Sequence, residues 1–299
     1  MITITGATGN VGSKIADQLL SKGQEITVIG RNAEKLKAFE NRGAKLQVGD
    51  IGDTEFLAKA FKGSDVVFSV LPPNQQAEDI RAYYNRMGES IATAIEKAGV
   101  KKVVQLSSQG GELDEGTGPV LGLHDQEERL NAMEDVDVMV LRPTYFMENL
   151  IWNFDMIASE GINGGTFDPD RKFHMIATKD IAKAAVEHLK SPDFKGNNVR
   201  DLLGAGAIDM DEITKLIGKE LGNDRLPYIQ FPYESAEKGM IGSGLSPSVA
   251  ASYMELNRHI NAGKVASHEK PLTDENRTET SFQEFAKVFG DMWKARQKE

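Results

Sequence analysis

The sequence predicts an α/β chain: a doubly wound parallel sheet followed by a smaller mixed α/β region. Two observations carry this. Short β-rich runs alternate with helix-period runs from residue 2 to about residue 141, an order that calls for right-handed crossovers and a sheet covered on both faces. A glycine-rich turn, Gly6-Ala7-Thr8-Gly9-Asn10-Val11-Gly12, joins the first strand to the first helix. After Pro143 the rhythm breaks. The expected division is therefore a sheet domain over 1–150 and a smaller domain over 151–299, partly interleaved with the first.

The elements follow in order. Ile2–Thr5 reads as a strand. Val11–Ser21 is a helix with Val11, Ile15, Leu19 and Leu20 at helical spacing, closed by Gly23. Glu25–Ile29 and Lys45–Val48 are strands, separated by a helix over Ala33–Asn41. Thr54–Phe61 is a helix. Asp65–Leu71 is a strand stopped by Pro72-Pro73. Ala77–Ala98 is a long helix with Gly99 behind it. Val103–Ser107 and Val136–Leu141 are strands around a helix over His124–Met133. Further on, Asp180–Leu189 is a helix capped from Thr178 or Asp180. Val199–Leu203 returns as a strand. Asp209 and Glu212 have capping-box spacing. Tyr228–Glu269 reads as helix with glycine breaks, and Phe282–Trp293 closes as a helix with one apolar face.

Composition bounds the function. The chain has 299 residues, 35 basic against 45 acidic, and a formal charge of −10. An acidic balance disfavours nucleic acid and anionic membrane as main partners. The absence of cysteine excludes disulfides, thiolate nucleophiles and thiolate metal sites. No His/Asp/Glu cluster has metal-ligand spacing, so no metal is expected. No apolar run reaches the roughly 20 residues of a membrane span. The first residues read as a strand and not as a leader, so a cytoplasmic location is expected.

The glycine turn carries the first functional signal. Gly6 permits the sharp turn, Gly9 lets backbone approach a pyrophosphate, and Gly12 lets helix pack on strand. The helix N-terminus then offers N–H groups and a positive dipole end to phosphate. The residue that meets the adenosine ribose lies about 20 positions past the third glycine. Here it is Arg31, at 31 − 12 = 19. A guanidinium suits a 2′-phosphate, and Lys35 one turn later adds a second charge, so NADP(H) is read in preference to NAD(H). As solvated surface residues, Arg31 and Lys35 would look the same.

Two further stretches resemble a known family. Leu141-Arg142-Pro143-Thr144-Tyr145-Phe146-Met147-Glu148-Asn149 is similar to a signature of NmrA-like proteins, which are atypical short-chain dehydrogenases/reductases. Lys179-Asp180-Ile181-Ala182 with Ala184-Ala185 is similar to that family's later helix start. The resemblance implies a Rossmann-like, NADP-binding domain and a C-terminal substrate domain. It places Ala7, Thr8, Asn10 and Val11 with the glycines at the cofactor. It also puts Asp50 and Ile51 near the adenine, Val70, Leu71 and Pro72 along the dinucleotide, Ser107 and Ser108 beside the nicotinamide, and Pro143, Thr144, Tyr145 and Phe146 over it. Each has a plain structural alternative as a turn, strand end or chain breaker.

The superfamily's Tyr-x-x-x-Lys pair is missing. Counting back from Arg142 puts the family's helix glutamate at Glu128, since 142 − 128 = 14; the tyrosine and lysine positions then hold Val120 and His124. Alcohol dehydrogenation by the usual acid–base route is disfavoured, as is an epimerase or dehydratase acting on a nucleotide sugar. The resemblance implies instead a quinone-type reductase, where the cofactor supplies hydride and the protein mostly positions a flat acceptor. His124 is the candidate to bind ribose or give a proton, oriented by Glu128. Tyr145 is the candidate to stack on the acceptor. Trp152, Phe154 and Phe167 would line that site or fill a core. The alternative is a catalytically silent NADP(H) sensor of the NmrA type, acting through a protein partner; a homodimer suits either reading.

Overall fold

The alternation in residues 2–143 builds one parallel sheet. The computed structural model describes residues 1–265 and 270–297. Its first part runs β1 (Ile2–Ile4), α1 (Gly12–Ser21), β2 (Ile26–Gly30), α2 (Ala33–Glu40), β3 (Lys45–Val48), α3 (Thr54–Phe61), β4 (Val66–Val70), α4 (Ile80–Ala98), β5 (Lys102–Leu106), α5 (Leu121–Asn131) and β6 (Asp137–Pro143). The second part runs β7 (Tyr145–Phe146), α6 (Phe154–Glu160), β8 (Asn163–Gly165), β9 (Phe173–Ile176), α7 (Thr178–Lys190), β10 (Asn197–Leu202), β11 (Ala207–Ile208), α8 (Met210–Leu221), β12 (Tyr228–Gln230), α9 (Tyr233–Gly242), α10 (Pro247–Asn261) and α11 (Phe282–Arg296).

The main sheet has the order β10-β6-β5-β4-β1-β2-β3, with every pairing parallel. Strand order reverses between β1 and β4, which opens a crevice at the carboxyl ends of the strands. One face is covered through Ile15 and Leu19 of α1 and Ile181 and Ala185 of α7. The other is covered through Phe61 of α3, Ile91 and Ile95 of α4 and Leu130 of α5. A third core joins β9, α6, α8 and α11 through Phe173, Phe154, Ile213, Phe285 and Phe289. Thus β10 and α7, though late in the chain, are built into the first part, while β7 and β9 begin the second.

Several expected boundaries move for local reasons. The helix expected from Ala77 starts at Ile80, because Asp79 Oδ1 caps it by accepting from Ala82 N at 2.9 Å. The helix expected from His124 starts at Leu121, after a 3₁₀ turn over Gly118–Val120 opened by Pro119. Tyr228–Glu269 is not one broken helix: Tyr228–Gln230 is a strand paired with β8, and α9 and α10 follow it. The last residues of that stretch, 266–269, lie outside those described. Asp209 caps α8 by accepting from Glu212 N at 2.9 Å. The reciprocal capping box forms at α11, between Ser281 and Glu284.

The cap of α7 is the largest correction. Its cap residue is Ala177, which offers no side-chain acceptor. The carboxylate of Glu148 does this work from thirty residues upstream. It accepts from Thr178 N at 3.0 Å and from the Thr178 hydroxyl. Asp180 is buried and accepts from Thr280 N at 2.9 Å and Thr280 Oγ1 at 2.8 Å, tying α7 to the start of α11. Bonds to a charged acceptor at a helix N-terminus are among the stronger ones, so Glu148→Ala is expected to cost about 2 kcal/mol in urea unfolding. A loss below about 0.5 kcal/mol, the level of an ordinary surface change, would refute this role.

Candidate functional site

The first residues at the crevice are the glycines. Gly6 has φ +63°, and a Cβ there would sit 2.6 Å from Val70 Cγ1. A Cβ on Gly12 would sit 2.2 Å from the carbonyl oxygen of Gly6. Gly9 N donates to that same oxygen at 2.9 Å, which closes the turn. Beneath it, Thr5 Oγ1 donates to Phe68 O and accepts from Val70 N, each at 3.1 Å, and so locks β1 to β4. No side chain caps α1, and no acidic residue stands in its first turn. The cradle is therefore a bare helix N-terminus lined by glycine, which fits a dinucleotide pyrophosphate.

The next residues lie past β2 and β3. Arg31 directly follows β2 with its side chain exposed, and Asn32 caps α2 by accepting from Lys35 N at 3.1 Å. Lys35 is exposed in the first turn of that helix. Asp50 Oδ1 accepts from Gly52 N at 2.8 Å, and Ile51 is buried. The charges of Arg31 and Asp50 both bear on Tyr83 of α4. Burial raises the Tyr83 phenol above its ordinary range, and Arg31 opposes that shift. The Arg86 guanidinium lies 5.8 Å from the Tyr83 ring centre. Tyr83 and Arg86 escape the sequence reading. Their i, i+3 spacing puts them on one face of α4, but no local signal marks that face.

At the other side, Val70, Leu71 and Pro72 leave β4 and Ser107 leaves β5. The β5–β6 ladder continues past the strand: Ser107 N donates to Leu141 O and Gln109 N to Pro143 O, each at 2.9 Å. The carboxylate facing this end is Glu127, and not the expected Glu128. Glu127 is 2% exposed, while Glu128 is on the solvent face. Arg142 holds it, with Nη2 to Oε2 at 2.5 Å and Nε at 3.2 Å from both oxygens. The Ser107 hydroxyl also donates to it. Arg142 reaches Glu112 as well, at 3.3 Å.

His124 stands on the same helix, but its partner is Gly111. Nδ1 lies 2.9 Å from the Gly111 carbonyl oxygen. A carbonyl only accepts, so Nδ1 carries the hydrogen and the neutral ring keeps its lone pair on Nε2. Among the described hydrogen bonds none joins His124 to Glu128, which corrects the expected orienting role. Next to it, Asp125 takes a two-pronged bond from Arg81 at 2.8 Å and one from Asn85 at 2.7 Å. Arg81 holds that carboxyl below the usual range and ties α5 to α4.

Pro143 and Thr144 are buried, and Phe146 packs against the first core. Tyr145 meets Phe167 and Phe173 edge-on, with ring centres 5.3 Å and 6.0 Å away. Desolvation pushes its phenol up to about 12. It therefore stays protonated near neutral pH, as a hydrogen-bonding aromatic and not a base. Phe154 is core, packed on Phe289 at 4.6 Å, and Trp152 is 58% exposed.

Helix α10 packs against the loop after β4, a contact the sequence did not reveal. Ser246 N donates to Gln75 O at 2.8 Å, and Ser246 Oγ donates to Ala77 O at 2.5 Å, clasping the loop after β4. Gly118, at φ +52°, has room only for hydrogen, since a Cβ would meet Ser252 O at 1.9 Å. Tyr253 of α10 thus reaches a small cavity with Tyr84 and Pro119.

Fold and turn together define a Rossmann-like α/β protein with a glycine-rich turn at the start of its first helix. The chain belongs to the NmrA-like family, whose family model matches residues 1–286. It is 28% identical over 260 residues to an NAD(P)H azoreductase of Xenophilus azovorans, covering 86% of each chain. It is 27% identical to quinone oxidoreductase 2 of Escherichia coli, covering 84% of this chain and 86% of that one. The fold is similar to the Citrobacter triphenylmethane reductase solved with NADP(H), at TM-score 0.78 and 20% identity over 96% of this chain and 99% of that one. It is also similar to an Escherichia coli NADPH-dependent quinone oxidoreductase solved with NADPH, at TM-score 0.74 and 20% identity over 97% and 99%. Among the described residues no helix is long and apolar enough to cross a membrane, and no group of three or more His, Asp or Glu could hold a metal.

Proposed function

We propose that the chain is an NADPH-dependent oxidoreductase that reduces a quinone or a similarly flat, conjugated acceptor. The observation that carries this is a glycine-lined, uncapped start of α1 in a chain whose later helix start lacks the usual acid–base pair. Gly118 to Glu128 contain neither tyrosine nor lysine, whichever glutamate sets the register. The names of the azo- and quinone-reducing relatives support the same reading. Bound NADPH would supply a hydride from its nicotinamide ring, so the protein's tasks are holding and orienting. Gly6, Gly9 and Gly12 with the N-terminus of α1 would take the pyrophosphate. Arg31, with Lys35 one helical turn later, would take the 2′-phosphate. His124 Nε2 would accept from a ribose hydroxyl, or deliver a proton once the ring is charged. Tyr145 would wall the acceptor side.

The test follows NADPH and NADH absorbance with a panel of benzo- and naphthoquinones. Acceptor-dependent NADPH oxidation is the expected result. Arg31→Ala is expected to weaken NADPH binding by roughly 10- to 100-fold, the scale of charge-assisted bonds to phosphate, while NADH binding stays unchanged. Equal use of NADH by the unaltered protein would overturn the NADP preference. Tight NADPH binding without turnover on any acceptor would favour the sensor reading.

A further inference from the structure

Ser107 is buried at the carboxyl end of β5, and its hydroxyl has one hydrogen to give. That hydrogen goes to Glu127 Oε1. Glu127, in its ion pair with Arg142, is a carboxylate and only accepts. The hydroxyl therefore cannot donate anywhere else. What it retains for a ligand is lone-pair density.

The surroundings hold this polarity in place. Arg142 sits on β6 and grips both oxygens of Glu127, so the carboxylate cannot turn away. Gly111 seals one side of the pair. A Cβ there would stand 2.3 Å from Glu127 Oε1 and 2.9 Å from Ser107 Oγ. Ser107 N is itself committed to Leu141 O at 2.9 Å. A ligand group that faces Ser107 must then be a donor. On a nicotinamide ring the only such group is the carboxamide nitrogen.

We propose that the Glu127–Arg142 ion pair makes Ser107 a fixed hydrogen-bond acceptor for the nicotinamide carboxamide nitrogen, with Glu127 as a positioning residue for the ring. This rests on the reading above that Ser107 borders a nicotinamide dinucleotide. Holding the carboxamide by its nitrogen sets the rotation of the ring, and so the face it turns to the acceptor.

The experiment is calorimetric binding of NADPH and of its 3-acetylpyridine analogue, in which a methyl ketone replaces the carboxamide and removes the N–H donor. The unaltered protein is expected to bind the analogue about tenfold more weakly, the scale of one hydrogen bond plus an acceptor left unmet. Ser107→Ala is expected to weaken NADPH and bring the two ligands within about twofold, since no acceptor is left to choose between them. Glu127→Leu with Arg142→Met frees the Ser107 hydrogen without leaving a buried charge, and discrimination should fall below about threefold as the hydroxyl serves a ketone oxygen equally well. Should that double variant fail to fold, the comparison of the unaltered protein with Ser107→Ala still decides the acceptor assignment. Equal affinity for both ligands in the unaltered protein, or discrimination unchanged in Ser107→Ala, overturns the acceptor assignment while leaving dinucleotide binding intact. Discrimination unchanged in the folded double variant overturns the role of Glu127. Failure of the unaltered protein to bind either ligand overturns the dinucleotide reading itself.

Discussion

Gly12→Ala is expected to abolish measurable NADPH binding and to destabilise the protein by about 3 kcal/mol, the upper end for overpacking a rigid site. The added carbon would lie 2.2 Å from Gly6 O, 2.8 Å from Gly6 C and 3.1 Å from Ala7 Cα, all backbone atoms. No rotamer change relieves that. Either α1 moves off the sheet or the Gly6 turn opens, and each displaces the N–H groups that would face the pyrophosphate. Gly9→Ala is the graded control. Its Cβ would be 3.2 Å from Gly6 O, a distance a small shift absorbs. It should cost under about 1 kcal/mol in stability and weaken binding only where backbone must approach phosphate. Calorimetry and urea unfolding without ligand separate the two effects. Binding within about threefold of the unaltered protein in Gly12→Ala would sink the assignment of this turn as the phosphate cradle.

The same contrast between local and distant causes explains what the sequence disclosed. The path from β1 through the glycine turn to α1 was legible because strand period, glycine spacing and helix period are all written within twenty residues. So were β3 and α3, whose bounds agree residue for residue with the expected ones. The cap of α7 was not legible. Glu148 lies thirty positions from Thr178 in the chain, and Thr178 itself looks like a cap. The bond between Asp180 and Thr280 spans a hundred residues. The packing of α10 on Gly118 is likewise a fact of tertiary contact. Glu127 was missed for a narrower reason. The offset between a helix residue and a strand residue depends on the turn between them, here residues 132–136. One residue of error turns a helix by about 100°, enough to exchange a buried carboxylate for an exposed one.

Arg142→Met should cost about 3–5 kcal/mol of unfolding free energy, because it strands a buried carboxylate. Glu127 is 2% exposed, and its remaining partner would be the Ser107 hydroxyl, a single neutral donor. Glu112 would lose its guanidinium too, but it is 39% exposed and water can replace that contact. Adding Glu127→Leu removes the stranded charge. The double variant should therefore be more stable than Arg142→Met alone, and within about 2 kcal/mol of the unaltered protein. A double-mutant cycle by urea unfolding at neutral pH reads this directly, since neighbours in one network are non-additive. Additive losses would mean that Arg142 and Glu127 act independently, and the pair could not then hold Ser107. A large coupling, with the double variant close in stability to the unaltered protein, would show that the charge pair contributes little net stability as a pair. Its retention would then be explained by the polarity it imposes on the serine above it.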